Sequence, residues 1–136
     1  MGKVIAIDFG LKRTGLAITD ESKLFAFGLE TVESNKLMDY LIALFKKERI
    51  ETIVLGEPKR LDGSDAHVTQ NVYLLKEALE KQFVGVPVVL QDERFTSKMA
   101  FDAMLAGGLK KKQRQDKGMI DKVSATIILQ EYLGIH

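Results

Sequence analysis

Lys3-Val4-Ile5-Ala6-Ile7-Asp8-Phe9-Gly10-Leu11-Lys12-Arg13-Thr14-Gly15-Leu16-Ala17-Ile18-Thr19-Asp20 decides how this chain is read. A short β-branched apolar run delivers Asp8 to its end and stops at Gly10, the pattern of a buried strand over residues 4–8. A Gly-punctuated basic turn follows, and a second apolar run covers residues 15–19. The link is short, so the two strands are expected to be antiparallel. Residues 24–31 read as a third strand, joined to the second through Asp20-Glu21-Ser22-Lys23 at hairpin length. A carboxylate at the end of a buried strand costs free energy unless something pairs with it. Asp8 therefore needs a partner: turn amides in an Asx motif, a metal ion, or the polar groups of a ligand.

Outward from this stretch, Ser34 reads as the N-cap of a helix reaching to about residue 49, with Leu37, Tyr40, Leu41, Leu44 and Phe45 at helical spacing. Residues 52–56 form a fully apolar strand reached through that helix, which predicts a parallel crossover. A Pro/Gly/Asp loop covers residues 57–65, and a helix over 66–83 carries Val68, Val72, Leu75, Leu79 and Phe83 on one face. Residues 86–91 are another apolar strand, with Asp92-Glu93-Arg94 at its C-terminal end. A short helix over 96–106, a basic Gly-bounded loop over 107–118 and a last helix over 119–133 complete the chain. The order β-β-β-α-β-α-β-α-α predicts one α/β domain over residues 1–136. Its mixed five-stranded sheet has the first three strands antiparallel, parallel βα units after them, and helices on both faces. Ligands of such sheets sit at the C-terminal ends of the parallel strands. Those ends are Asp8, Gly56-Glu57 and Asp92-Glu93.

Bulk properties narrow the chemistry. With 136 residues, 46% apolar and 29% charged, the chain can bury a sizeable core. The formal charge of +1 does not choose a partner, because nucleic-acid binding needs only a local basic patch. The absence of cysteine excludes a disulfide scaffold, a thiolate metal site and a cysteine nucleophile, and fits a cytoplasmic location. No apolar segment approaches the roughly 18–20 residues of a membrane span. The first residues run into a strand pattern rather than a signal peptide.

Three acids stand out. Asp8 ends the first strand, and Glu93 follows the last one beside Asp92. Asp121 shares a helix face with Ser124, Ala125, Ile128, Leu129 and Tyr132, a mostly apolar stripe. Each has an ordinary explanation: a turn motif for Asp8, a solvated loop pair for Asp92-Glu93-Arg94, a dipole-complementing first-turn acid for Asp121. Together they describe a different object. Clustered carboxylates repel one another unless cations neutralise them, and an all-oxygen set suits Mg²⁺ or Mn²⁺ rather than zinc. The only histidines are His67 and His136. Basic residues fall on the same expected rim: Lys12 and Arg13 after the first strand, Lys59 and Arg60 after the fourth, and Lys110, Lys111, Lys112 and Arg114 ahead of Asp121. That is what a phosphodiester substrate needs. Asp8-Phe9-Gly10 also matches the metal-binding tripeptide of protein kinases, but the rest of the kinase signature is missing.

The chain resembles the YqgF/RuvX family. The residues that carry the resemblance are Ile7-Asp8-Phe9-Gly10-Leu11-Lys12-Arg13-Thr14-Gly15-Leu16-Ala17; Val54-Leu55-Gly56-Glu57-Pro58 with Asp62-Gly63-Ser64; Asp92-Glu93-Arg94-Phe95-Thr96-Ser97; and Ile120-Asp121 with Ala125 and Ile128-Leu129-Gln130-Glu131-Tyr132-Leu133. The resemblance implies an RNase H-like fold related to Holliday-junction resolvases. It also implies a nuclease that matures the 5′ end of pre-16S rRNA or resolves branched DNA. Carried over by position, Asp8, Glu93 and Asp121 are the catalytic, metal-binding acids, Asp92 assists, and Arg94 contacts a phosphate or orients Glu93. Two departures stand out: Glu57 occupies a commonly apolar position, and Lys122 and Ser124 occupy commonly small or apolar ones. Glu57 either adds a carboxylate to the rim or faces solvent.

The expectation is therefore a metal-dependent endonuclease acting on structured RNA or branched DNA, as a monomer or homodimer. Two rivals remain: a non-catalytic RNA- or protein-binding module of ribosome assembly, and a fragment of an actin-like ATPase, whose first phosphate loop also pairs Asp-x-Gly with a basic turn.

Overall fold

A computed structural model describes residues 2–58, 68–92 and 117–134. The elements are β1 (Lys3–Phe9), β2 (Arg13–Thr19), β3 (Ala26–Glu33), a 3₁₀ turn (Ser34–Lys36), α1 (Leu37–Lys47), β4 (Ile50–Glu57), α2 (Thr69–Gln82), β5 (Val88–Asp92) and α3 (Lys117–Leu133). The sheet runs β3-β2-β1-β4-β5. β1 pairs antiparallel with β2, and β2 with β3. β1 pairs parallel with β4, and β4 with β5. This is the mixed five-stranded sheet that the sequence predicts.

β1 is central because its run is apolar on both sides. Val4, Ile5, Ala6 and Ile7 are all buried, as a strand covered on both faces requires. Alternation then sorts the core into two layers. Ile5, Ile7, Leu16, Ile53 and Leu55 pack against Leu37, Leu41 and Leu44 of α1 and Val72 and Leu79 of α2. Val4, Ala6, Ala17 and Val54 pack against Ala125, Ile128 and Leu129 of α3. The α3 face is built from smaller sheet residues, so α3 can lie close to the strands. Each buried Leu or Ile contributes about 1.5–3 kcal/mol of transfer free energy.

Three local expectations shift. β3 begins at Ala26 rather than residue 24, because the Leu24 and Phe25 amides donate to Asp20 Oδ1 at 3.0 and 3.1 Å and are held in the turn. Ser34 is not a helix cap. Glu33 precedes the 3₁₀ turn with no side-chain cap bond, and the Ser34 hydroxyl donates back to the Gly10 carbonyl instead. α3 starts at Lys117, so Asp121 lies beyond its first turn and is not a dipole-complementing terminal acid. The helix expected over 96–106 and the basic loop ahead of residue 117 fall outside the described residues. Among the described residues no helix is long and apolar enough to cross a membrane.

Candidate active site

Asp8 alternates along β1 with Val4 and Ala6, so its side chain lies on the α3 face of the sheet. Its register partner on β2 is Gly15. A Cβ on Gly15 would stand 2.0 Å from the carbonyl oxygen of Asp121 and 3.0 Å from the Asp121 Cβ. The second turn of α3 therefore rests on the spot where β2 has no side chain. One glycine brings together two acids from opposite ends of the chain, Asp8 beside it in the sheet and Asp121 above it on the helix.

Asp121 is anchored in turn. Arg13 Nε donates to Asp121 Oδ2 at 3.0 Å, with the Asp121 side chain 23% exposed and that of Arg13 40%. The sequence offers Arg13 as a substrate contact, and the fold gives it a carboxylate partner within the protein. Lys12 is exposed on the same turn. The turn is tight: a Cβ on Gly10 would lie 2.5 Å from the Arg13 carbonyl oxygen. Ser34 pins it, with its amide donating to the Lys12 carbonyl at 2.9 Å and its hydroxyl 2.8 Å from Thr14 Oγ1. Nothing in the spacing of Ser34 announces this role, since a serine between strand and helix reads equally well as a cap. Beside the turn lies an open groove of about 440 Å³ lined by Leu11, Lys12, Arg13, Glu33 and Asn35.

The other strand-end acids divide by face. Glu57 alternates with Ile53 and Leu55, so it lies on the α1/α2 side, where the Tyr73 hydroxyl of α2 donates to Glu57 Oε2 at 2.6 Å. Glu57 thus neither joins Asp8 nor simply faces solvent. Asp92 pairs in register with Glu57 and alternates with Val88 and Leu90, which places it on that same far side. The row on the Asp8 side continues instead through Gly56 and its register partner Gln91. Sharing a rim is not sharing a face, and this alternation sets Asp92 apart from Asp8.

Glu93, Arg94, Lys59, Arg60, Lys110, Lys111, Lys112, Arg114, His67 and His136 lie outside the described residues. Among the described residues no group of three His, Cys, Asp or Glu side chains is placed to hold a metal ion. Two of the three expected acids, Asp8 and Asp121, are described. The donor chemistry fits a hard divalent cation: carboxylate oxygens, with no cysteine anywhere in the chain.

Comparison with known proteins agrees with this fold. Residues 2–134 match the family described as RuvX: Holliday junction resolvase. A protein of Christiangramia forsetii named "Putative pre-16S rRNA nuclease" is 46% identical over 133 residues, covering 98% of both chains. A Flavobacterium johnsoniae protein of the same name is 46% identical over 134 residues, covering 98% of this chain and 97% of its own. Among solved structures, T. thermophilus RuvC in complex with a Holliday junction substrate aligns with a TM-score of 0.60 at 17% identity, covering 98% of this chain and 97% of its own. Fowlpox virus resolvase in complex with Holliday junction DNA aligns with a TM-score of 0.61 at 11% identity, covering 97% of each. At those identities the structural likeness establishes the fold, which is RNase H-like.

Proposed function

The chain belongs to the RuvX family of Holliday junction resolvases, and from that premise we propose that it is a metal-dependent endonuclease that hydrolyses phosphodiester bonds in structured nucleic acid, with the 5′ end of pre-16S rRNA as its substrate. The observation that carries the reading is the meeting of Asp8 and Asp121 over Gly15. Gly15 is the register partner of Asp8 and lies against the Asp121 backbone, which supports reading the two acids as one site. Asp8, Asp121 and Glu93 are the residues that would hold one or two Mg²⁺ or Mn²⁺ ions. Such ions, when bound, lower the pKa of an attacking water and offset charge on the scissile phosphate and its leaving 3′ oxygen.

The rest is positioning. Lys12 on the β1–β2 turn, with Lys59, Arg60, Arg94 and the Lys110–Arg114 segment, would grip backbone phosphates on either side of the cut. Water adds to phosphorus as the bond to the 3′ oxygen breaks, which leaves a 5′-phosphate and a 3′-hydroxyl. The family's description favours a second substrate for the same chemistry, the branched DNA of a four-way junction.

The test is cleavage of a panel of pre-16S-derived RNA and four-way DNA junctions in Mg²⁺, Mn²⁺ or EDTA. Cleavage in either metal, none in EDTA and none by Asp8→Asn is expected. Equal cleavage by wild type and Asp8→Asn sinks the assignment. Binding indifferent to EDTA, with no cleavage in any metal, establishes the binding-module alternative.

A further inference from the structure

Arg13 stands between two sites. Its Nε holds Asp121 Oδ2 at 3.0 Å, and the same side chain lines the groove formed with Leu11, Lys12, Glu33 and Asn35. A guanidinium carries five donors in a planar fork, of which Nε is one. It pairs best with groups that accept two parallel bonds, and a phosphate does so as well as a carboxylate. The groove has the volume for a nucleotide unit and carries exposed Lys12 on its wall, so a backbone phosphate has a place to arrive within reach of Arg13.

We infer that Arg13 couples nucleic-acid binding to metal binding: it is the counter-cation of Asp121 until a backbone phosphate lodged in the Leu11–Asn35 groove takes its guanidinium over. The inference rests on the reading of Asp121 as a metal ligand. Before substrate arrives, the Arg13 charge quiets the repulsion between Asp121 and Asp8 and competes with a metal ion for the same carboxylate. Once a phosphate engages Arg13, the guanidinium no longer competes with a metal ion for Asp121. By linkage the effect is reciprocal, so the strand tightens metal binding by the factor with which metal tightens the strand. The arrangement offsets the charge of Asp121 without metal and favours metal loading when a phosphodiester is present. It makes Arg13 a positioning residue, in contrast to Lys12, which lines the groove.

The experiment is Mn²⁺ binding followed by electron paramagnetic resonance of the free ion. It uses the full chain, with and without a structured RNA hairpin that a gel shows intact throughout, and the RNA-only signal is subtracted. Wild type is expected to bind Mn²⁺ about 5-fold or more tightly when RNA is present, the lower end of ordinary site–site coupling. Arg13→Gln, its fold checked by circular dichroism and thermal melting, is expected to bind Mn²⁺ several-fold more tightly than wild type without RNA and to gain nothing further from RNA. Wild-type Mn²⁺ affinity that ignores RNA overturns the inference whatever the variant does. Arg13→Gln with wild-type affinity and intact coupling overturns it too, and leaves the metal centre standing. No Mn²⁺ uptake by wild type overturns the metal centre itself, and this inference with it.

Discussion

Gly15 and Asp121 are in backbone contact: a Cβ on the glycine would sit 2.0 Å from the Asp121 carbonyl oxygen. Backbone cannot rotate away as a side-chain tip can, so Gly15→Ala must lift α3 from β2. Overpacking of this kind costs about 1–3 kcal/mol, which for a chain of this size lowers Tm by about 3 °C per kcal/mol. Because α3 carries Asp121, metal-dependent cleavage should fall by more than the loss of folded protein explains. A variant that melts and cleaves like wild type would show that α3 does not rest on this residue.

Asp92 and Glu93 are neighbours in sequence with opposite expected roles. Asp92 shares the far face with Glu57, so Asp92→Asn should cleave at close to the wild-type rate. Glu93→Gln should lose metal-dependent cleavage, as Asp8→Asn does. Steady-state cleavage assays of the two variants decide it, and loss of activity in Asp92→Asn alone would move the acidic site to the α1/α2 side.

Tyr73→Phe removes the hydroxyl that donates to Glu57 Oε2 at 2.6 Å. The half-buried carboxylate keeps some access to water, so the expected cost is about 1 kcal/mol, read by chemical denaturation. Cleavage should be unchanged, because the pair lies on the face away from Asp8. A variant of wild-type stability that cleaves poorly would place Glu57 in the working site after all.

Asp20 predicts a pH signature. The Ser22 hydroxyl and then the Phe25 and Leu24 amides stabilise its charged form, which holds its carboxyl below the ordinary 3.8. A carboxylate with a lowered folded-state pKa contributes stability above its unfolded-state pKa, and that contribution disappears as pH falls through the folded-state value. Asp20→Asn keeps an acceptor and loses the charge. It should melt lower than wild type at pH 7, with the gap closing once pH drops below about 3.8. A gap that is constant down to pH 2 would mean that the charge on Asp20 does not stabilise the turn.

Much of this was legible in the sequence. The continuous apolar run of β1 needs cover on both faces, and the short link to Gly15 allows only an antiparallel return. The helical stripe of α3, with Ala125, Ile128 and Leu129 buried, likewise places Asp121 beside the sheet rather than in solvent. Ser34 reads as a cap in the sequence because its decisive partners, Gly10 and Lys12, are distant along the chain and enter only through the packing of β3 against β2. The sequence leaves Glu57 and Asp92 open because strand ends give a height along the sheet and not a side. The side follows from register, and register is a property of the assembled sheet.

The sequence by itself determined the strands and their antiparallel or parallel pairing, because periodicity, link length and residue type are local quantities written in the chain, and its motifs carried the resemblance to the family. It also determined that Asp8 needed a partner. Only the tertiary structure decided who stands next to whom. Gly15 lets α3 descend on β2, Asp121 arrives there with Arg13 bound to it, and Glu57 is turned away to Tyr73. Those outcomes depend on the close packing of side chains from distant segments, where one missing Cβ decides what can approach, and no pattern along a single strand or helix records them.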